Sequence, residues 1–200
     1  MLKLEDYYKN FVNNENIATN FSVPAEHSFV TDDFGNDCAV LDSPYINNCG
    51  YDSAGALLQH IYGALLPPVT VVDSNLSYFD QSEFAAQGLD TAAMLESGAV
   101  YIPSYCRQHT GCRVHIALHG CLQDTDYVQE DFVRHTGYLG WAEANNIVIL
   151  MPQAKRNLSN PKGCWDWWGY TSSAYASKLG YQNTAIHNML LRLRQSTAIQ

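Results

Sequence analysis

Two apolar runs, Arg113 to Leu118 and Asn146 to Met151, stand on either side of a helix-like segment, Phe132 to Ala144. Strand, crossover and strand within about 40 residues fit a right-handed βαβ unit, because parallel neighbours need a crossover of a dozen or more residues. The unit implies a parallel sheet with helices packed against it, an α/β architecture. Gly137 and Gly140 weaken the crossover as one unbroken helix. Val69 to Val72, Leu76 to Phe79 and Ala99 to Ile102 are further short strands, and Ile17 to Val23 reads as another that Pro24 closes. The polar stretch from Glu26 to Asn48 reads as loop. Ser53 is placed to cap a helix with the stripe Leu57, Leu58, Ile61 and Leu65, ended by Pro67 and Pro68. A last helix carries Ile186, Met189, Leu190 and Leu193 on one face. Leu4, Tyr8, Phe11 and Val12 mark a first one without an N-cap, so the chain opens inside an element. No repeat or linker divides the 200 residues, which read as a single domain.

Composition removes several classes of function. A hydrophobic fraction of 46% excludes disorder and supports a buried core. Eleven Lys and Arg against 20 Asp and Glu leave a net charge of -9, which repels a phosphate backbone, so nucleic acid is not an expected partner. No apolar run approaches the roughly 18 residues of a membrane span, and Met1 to Tyr8 lacks the apolar core of a signal peptide. Six cysteines without any C-x-x-C pair favour disulfides over zinc, and hence an extracellular or periplasmic parent protein. Proximity pairs Cys38 with Cys49 and Cys106 with Cys112. Cys121 and Cys164 are then either a long-range bridge or two thiols.

The chemistry concentrates after the first strand of the βαβ unit. Val114 to Leu118 runs into His119-Gly120-Cys121, at the carboxyl end of a strand, where open α/β sheets place their sites. A glycine there turns the backbone so that the following N–H, that of Cys121, can point at a developing oxyanion. Zinc on His115 and His119 is excluded by reach, since four residues along a strand separate them by about 13 Å. His60, His109, His135 and His187 stand singly and read as surface or packing residues. An oxyanion donor needs a nucleophile, yet no G-x-S-x-G elbow occurs, and Ser53 in Gly50 to Gly55 has the wrong spacing. Cys121 is a second, weaker nucleophile candidate. His27, in the loop after Val23 and with Asp32 and Asp33 close in sequence, suits a general base. Trp165, Trp167 and Trp168 offer an aromatic wall for an ester or polymer.

Together these blocks resemble the polyhydroxybutyrate depolymerases, polyester hydrolases with a circularly permuted α/β-hydrolase fold. The resemblance rests on Val23 to Ser28, Asp33 to Cys38, Pro44 to Asp52, Ala54 to Gly63, Ala117 to Gln123 and Gly163 to Tyr170. It implies a three-layer sandwich with a mostly parallel sheet, His27 as the triad histidine, the Cys121 amide as an oxyanion donor and Trp165 near the cleft. It also implies an ester or polyester substrate, acyl transfer through a serine, and no cofactor or metal. The family's serine elbow and triad aspartate have no matching positions here. Residues 1–200 therefore read as a single, incomplete catalytic domain, lacking its N-terminal nucleophile strand and inactive alone. The missing part of the same domain would be its partner, and neighbouring strands would be left with unpaired edges. The alternatives are a complete small esterase using Ser53 or Cys121, a non-catalytic polymer-binding module using its Trp face, or an esterase of the feruloyl or acetyl-xylan type.

Overall fold

A computed structural model describes residues 2–195 of the chain. Its helices are α1 (Leu2–Tyr8), α2 (Ser53–Tyr62), α3 (Leu89–Ala92), α4 (Thr125–Val128), α5 (Asp131–His135), α6 (Tyr138–Asn145) and α7 (Tyr181–Gln195). Its strands are β1 (Phe29–Thr31), β2 (Asn36–Asp37), β3 (Ile46–Asn48), β4 (Leu76–Asp80), β5 (Ser97–Tyr101), β6 (Arg113–Ile116) and β7 (Ile147–Met151).

The βαβ unit forms as its sequence requires. Strands β6 and β7 pair in parallel, with Arg113 opposite Ile147 and Ile116 opposite Leu150. All five residues of β7 are buried, so this strand is covered on both faces. Alternation divides them: Ile147, Ile149 and Met151 meet α2 and α6 through Ala54, Leu58, Leu139 and Ala142, while Leu150 faces Ala92, Ala185 and Met189 on the α3 and α7 side. The result is helix on sheet on helix. Each fully buried aliphatic side chain of β7 contributes about 1.5–3 kcal/mol through removal from water. The crossover itself is two helices. Thr136 and Gly137 separate α5 from α6, and Gly137 takes φ +85°, a left-handed value that favours glycine.

The sheet runs β4-β5-β7-β6, and β4 to β5 and β5 to β7 are antiparallel. Parallel pairing accounts for three of the five strand pairs among the described residues. Strand β6 pairs with β7 and is an edge of this sheet.

Several local expectations are corrected. Ile17 to Val23 forms no strand, because β propensity without an adjacent edge to pair with does not make a ladder. Val69 to Val72 likewise runs unladdered, beside α6, with the Val69 N–H donating to the Gly140 carbonyl at 3.2 Å. Glu26 to Asn48 is not plain loop: β1, β3 and β2 pair in parallel as a second, three-stranded sheet, with Phe29 opposite Ile46 and Asn36 opposite Asn47. The N-cap of α2 is Asp52, whose Oδ1 accepts from the Gly55 N–H at 2.7 Å, and Ser53 is the first helical residue. That helix stops at Gly63, ahead of the prolines, and buries Leu58 while Leu57 and Ile61 stay exposed. The stripe Leu4, Tyr8, Phe11 and Val12 is exposed and α1 ends at Tyr8. On α7 the buried positions are Gln182, Ala185 and Met189, one residue out of step with the expected stripe apart from Met189.

All six cysteines are bridged, Cys38 to Cys49, Cys106 to Cys112 and Cys121 to Cys164. The long-range option for Cys121 is the one realised. Its sulfur is therefore no thiolate, and the reading of Cys121 as a nucleophile is withdrawn.

Candidate active site

His27 sits in the segment leading to β1, and backbone bonds grip the chain on both sides of it. The Glu26 N–H donates to the Cys38 carbonyl at 3.0 Å and the Phe29 N–H to the Tyr45 carbonyl at 2.8 Å. The Cys38 to Cys49 bridge fastens the same loops. With its backbone held, the His27 ring stands exposed at the junction of two cavities of about 650 and 490 Å³.

Gly120 and Cys121 line the larger of these cavities together with His27. Their turn is built by His119, which is 2% exposed. The Ala154 N–H donates to His119 Nε2 at 3.0 Å, so Nε2 is an acceptor and the proton resides on Nδ1, which donates to the Gly120 carbonyl at 2.7 Å. Burial pushes the imidazole pKa down to about 4, keeping the ring neutral, against the opposing pull of the Gly120 carbonyl. The Trp165 indole N–H closes the arrangement by donating to the His119 carbonyl at 3.1 Å. His119 thus shapes the turn, with both ring nitrogens committed to backbone groups.

Gln123 completes it. Its Oε1 accepts from the Gly120 N–H at 2.8 Å, and its Nε2 donates to the carbonyls of Tyr45 at 2.8 Å and Pro44 at 3.3 Å. A Cβ on residue 120 would lie 2.6 Å from that Oε1, which accounts for glycine there. The Tyr45 carbonyl serves both Gln123 and Phe29, so one buried amide ties the glycine turn to the loop that carries His27. Since Gln123 occupies the Gly120 N–H, that group is not the free donor. The next one, on exposed Cys121, has no acceptor among the described residues, and Cys121 lines the cavity. Cys121 is anchored through its bridge to Cys164, whose N–H and carbonyl are both bonded by the Asn160 side chain at 2.9 and 2.8 Å.

Phe29, Leu41, Leu118, Leu122 and Phe132 give the cavity apolar wall, Ser28, Tyr45 and Lys162 also line it, and no carboxylate of the described residues does. A preorganised N–H, an imidazole and apolar walls can polarise an ester carbonyl and move a proton beside it.

The other candidates lie elsewhere. Trp165 is half-buried against His119, ring centroids 5.2 Å apart, and does not line the cavity. Trp167 and Trp168 also lie outside it, 72% and 41% exposed and packed edge to face. They project from a loop nucleated by Asp166, whose carboxylate accepts from the N–H groups of Gly169, Tyr170 and Thr171. Asp32 and Asp33 line a different cavity, with Arg134 and His135, and neither is hydrogen-bonded to His27 among the described residues. Ser53 shares the smaller cavity with His27, but its hydroxyl donates to the Val30 carbonyl. No group of three or more metal-ligating side chains occurs among the described residues. Sequence reasoning missed Gln123, because a lone glutamine in a loop carries no periodicity or motif.

No protein-family model matches the chain. The poly(3-hydroxybutyrate) depolymerase of Delftia acidovorans is 42% identical over 198 residues, and the polyhydroxybutyrate depolymerase of Talaromyces funiculosus 39% over 203. These alignments take in 97% and 93% of this chain but 39% and 58% of those proteins. The crystal structure of a PHB depolymerase from Penicillium funiculosum matches with a TM-score of 0.86 at 35% identity, over 100% of this chain and 66% of that one. A serine-to-alanine PHB depolymerase variant complexed with R3HB trimer matches over the same shares with a TM-score of 0.87 at 36% identity. The chain therefore spans less than two thirds of the length of these relatives, and its fold is α/β-hydrolase-like.

Proposed function

We propose, because this chain is homologous to the polyhydroxybutyrate depolymerases over nearly its whole length, that it forms the base-and-oxyanion portion of a polyester hydrolase. One observation carries the reading: His27 and Cys121, whose amide is unpaired among the described residues, line the same cavity. In the reaction, His27 takes the proton of a serine hydroxyl as its oxygen attacks the ester carbonyl. The tetrahedral oxyanion is held by backbone N–H groups including that of Cys121. His27 then returns the proton to the departing alcohol, and water repeats the sequence to release the hydroxyacid.

The serine lies outside these 200 residues. No elbow sequence occurs, the Ser53 hydroxyl is committed to Val30, and β6 offers an edge for a further strand. On this account residues 1–200 are one part of a circularly permuted catalytic domain. The three bridges favour an extracellular or periplasmic site of action, and no helix of the described residues is long and apolar enough to cross a membrane.

The test is p-nitrophenyl butyrate hydrolysis, by the chain alone and by the chain fused behind the serine-bearing segment of the fungal relative. The account predicts hydrolysis by the fusion alone, abolished by His27→Ala. Vigorous turnover by the chain alone, lost on Ser53→Ala, contradicts it. A second reading draws on the exposure of Trp167 and Trp168: attachment to solid polyester outside the cleft. It predicts pelleting with granules that Trp167→Ala weakens and that His27→Ala leaves unchanged.

A further inference from the structure

Among the described residues, Lys162 is the only Lys or Arg lining the cavity shared by His27 and Cys121. Seven of the chain's ten other cations are engaged, and the remaining three, Lys3, Lys178 and Arg194, make no ion pair among the described residues either but do not line this cavity. Lys9, Arg134, Lys155 and Arg192 sit in ion pairs, Arg107 is hydrogen-bonded to Asn75 and Ser74, and Arg113 and Arg156 lie over tyrosine rings. The Lys162 ammonium has neither an ion pair nor a hydrogen bond among the described residues, and the side chain is exposed.

The backbone beneath it is nevertheless fixed. The Lys162 carbonyl accepts from the Leu122 N–H at 2.8 Å, the Tyr127 hydroxyl donates to the preceding Pro161 carbonyl at 2.6 Å, and Cys164 is bridged to Cys121. The backbone of Lys162 is thus tied to Leu122, the residue after Cys121. In a chain with a net charge of -9, this cavity has no Asp or Glu in its lining, whereas the cavity of similar volume around Lys155 is lined by Asp90, Glu96 and Asp126. An exposed, unpaired ammonium at a cavity without carboxylates attracts an anion modestly, with no like charge in the lining to oppose it.

Resting on the ester-cleft reading, we propose that Lys162 is a carboxylate subsite, so that the cleft selects short hydroxyalkanoate oligomers ending in a free acid. The ester nearest that acid end is the one placed at the Cys121 amide.

Calorimetric titration of the full chain with R3HB trimer, as the free acid and as its methyl ester, tests this without requiring turnover. The acid should bind about fivefold tighter than the ester, the scale of one exposed charge pair. Lys162→Gln should remove the difference by weakening the acid alone, Lys162→Arg should keep it, and about 0.5 M salt should erode it by screening. Lys162→Gln is expected to fold, since the side chain contacts nothing it would orphan, and unchanged thermal unfolding verifies this. Equal binding of acid and ester, or equal weakening of both by Lys162→Gln, overturns the subsite and leaves the cleft reading standing. Binding of neither ligand overturns both.

Discussion

Replacing Gln123 by Met removes hydrogen bonds from the centre of the site while keeping most of the side-chain volume. Three contacts disappear: the Gly120 N–H loses its acceptor at 2.8 Å, the Pro44 carbonyl its donor at 3.3 Å, and the Tyr45 carbonyl one of its two donors. Tyr45 keeps the Phe29 N–H at 2.8 Å, so it is not orphaned. Gly120 is exposed and Pro44 half-exposed, so water can serve both after the substitution. The loss is then about 2 kcal/mol, three net hydrogen bonds toward the weak end of their range and without a full desolvation penalty. For a chain of 200 residues that lowers Tm by about 6 °C. Thermal unfolding followed by circular dichroism measures it, with exposed Gln108→Met as the control. Amide exchange at Gly120 should quicken in the same variant, because its N–H is no longer held. If Gln123→Met matches the Gln108→Met control and Gly120 exchange is unaltered, Gln123 does not couple the turn to the His27 loop.

Stability should also fall in acid through His119. Its folded pKa, about 4, lies below the ordinary 6.5, so the unfolded chain takes up a proton that the native one refuses. The contribution is whole above about pH 6.5 and declines as pH drops toward 4, a loss of about 3 kcal/mol. Denaturant titrations at several pH values check it: the slope should be shallower in His119→Gln, and identical slopes refute the assignment. Removing the bridge across the 43-residue separation of Cys121 and Cys164 should cost about 4 kcal/mol, against about 2 for Cys106 to Cys112, because the longer loop gains more freedom when unfolded. Paired Cys→Ser variants compared by urea denaturation give the difference, and the reverse order counts against it.

What could be read from the residues follows the range of the forces involved. Strand β7 was legible because burial on both faces demands a continuous apolar run such as Ile147 to Met151. The sheet of β1, β2 and β3 was not. Its strands are two or three residues long and rich in Asn and Asp, and their pairing comes from contacts such as Phe29 with Ile46. The same distinction holds in the site. His27, Gly120 and Cys121 announce themselves by residue type and by position at strand ends. Gln123 acts through Pro44 and Tyr45, 79 and 78 residues away, and no local pattern encodes that. The Trp segment shows the converse: three tryptophans in four positions marked aromatic surface, but Asp166 turns the loop so that they lie outside the His27 cavity.

The most direct measurement is nuclear magnetic resonance of the isotope-labelled chain titrated with R3HB trimer. The account predicts that the Cys121 amide and the His27 ring shift together, saturating at one ligand concentration, while Asp32 and Asp33 stay still. Shifts confined to Trp167 and Trp168, with Cys121 and His27 silent, would contradict it.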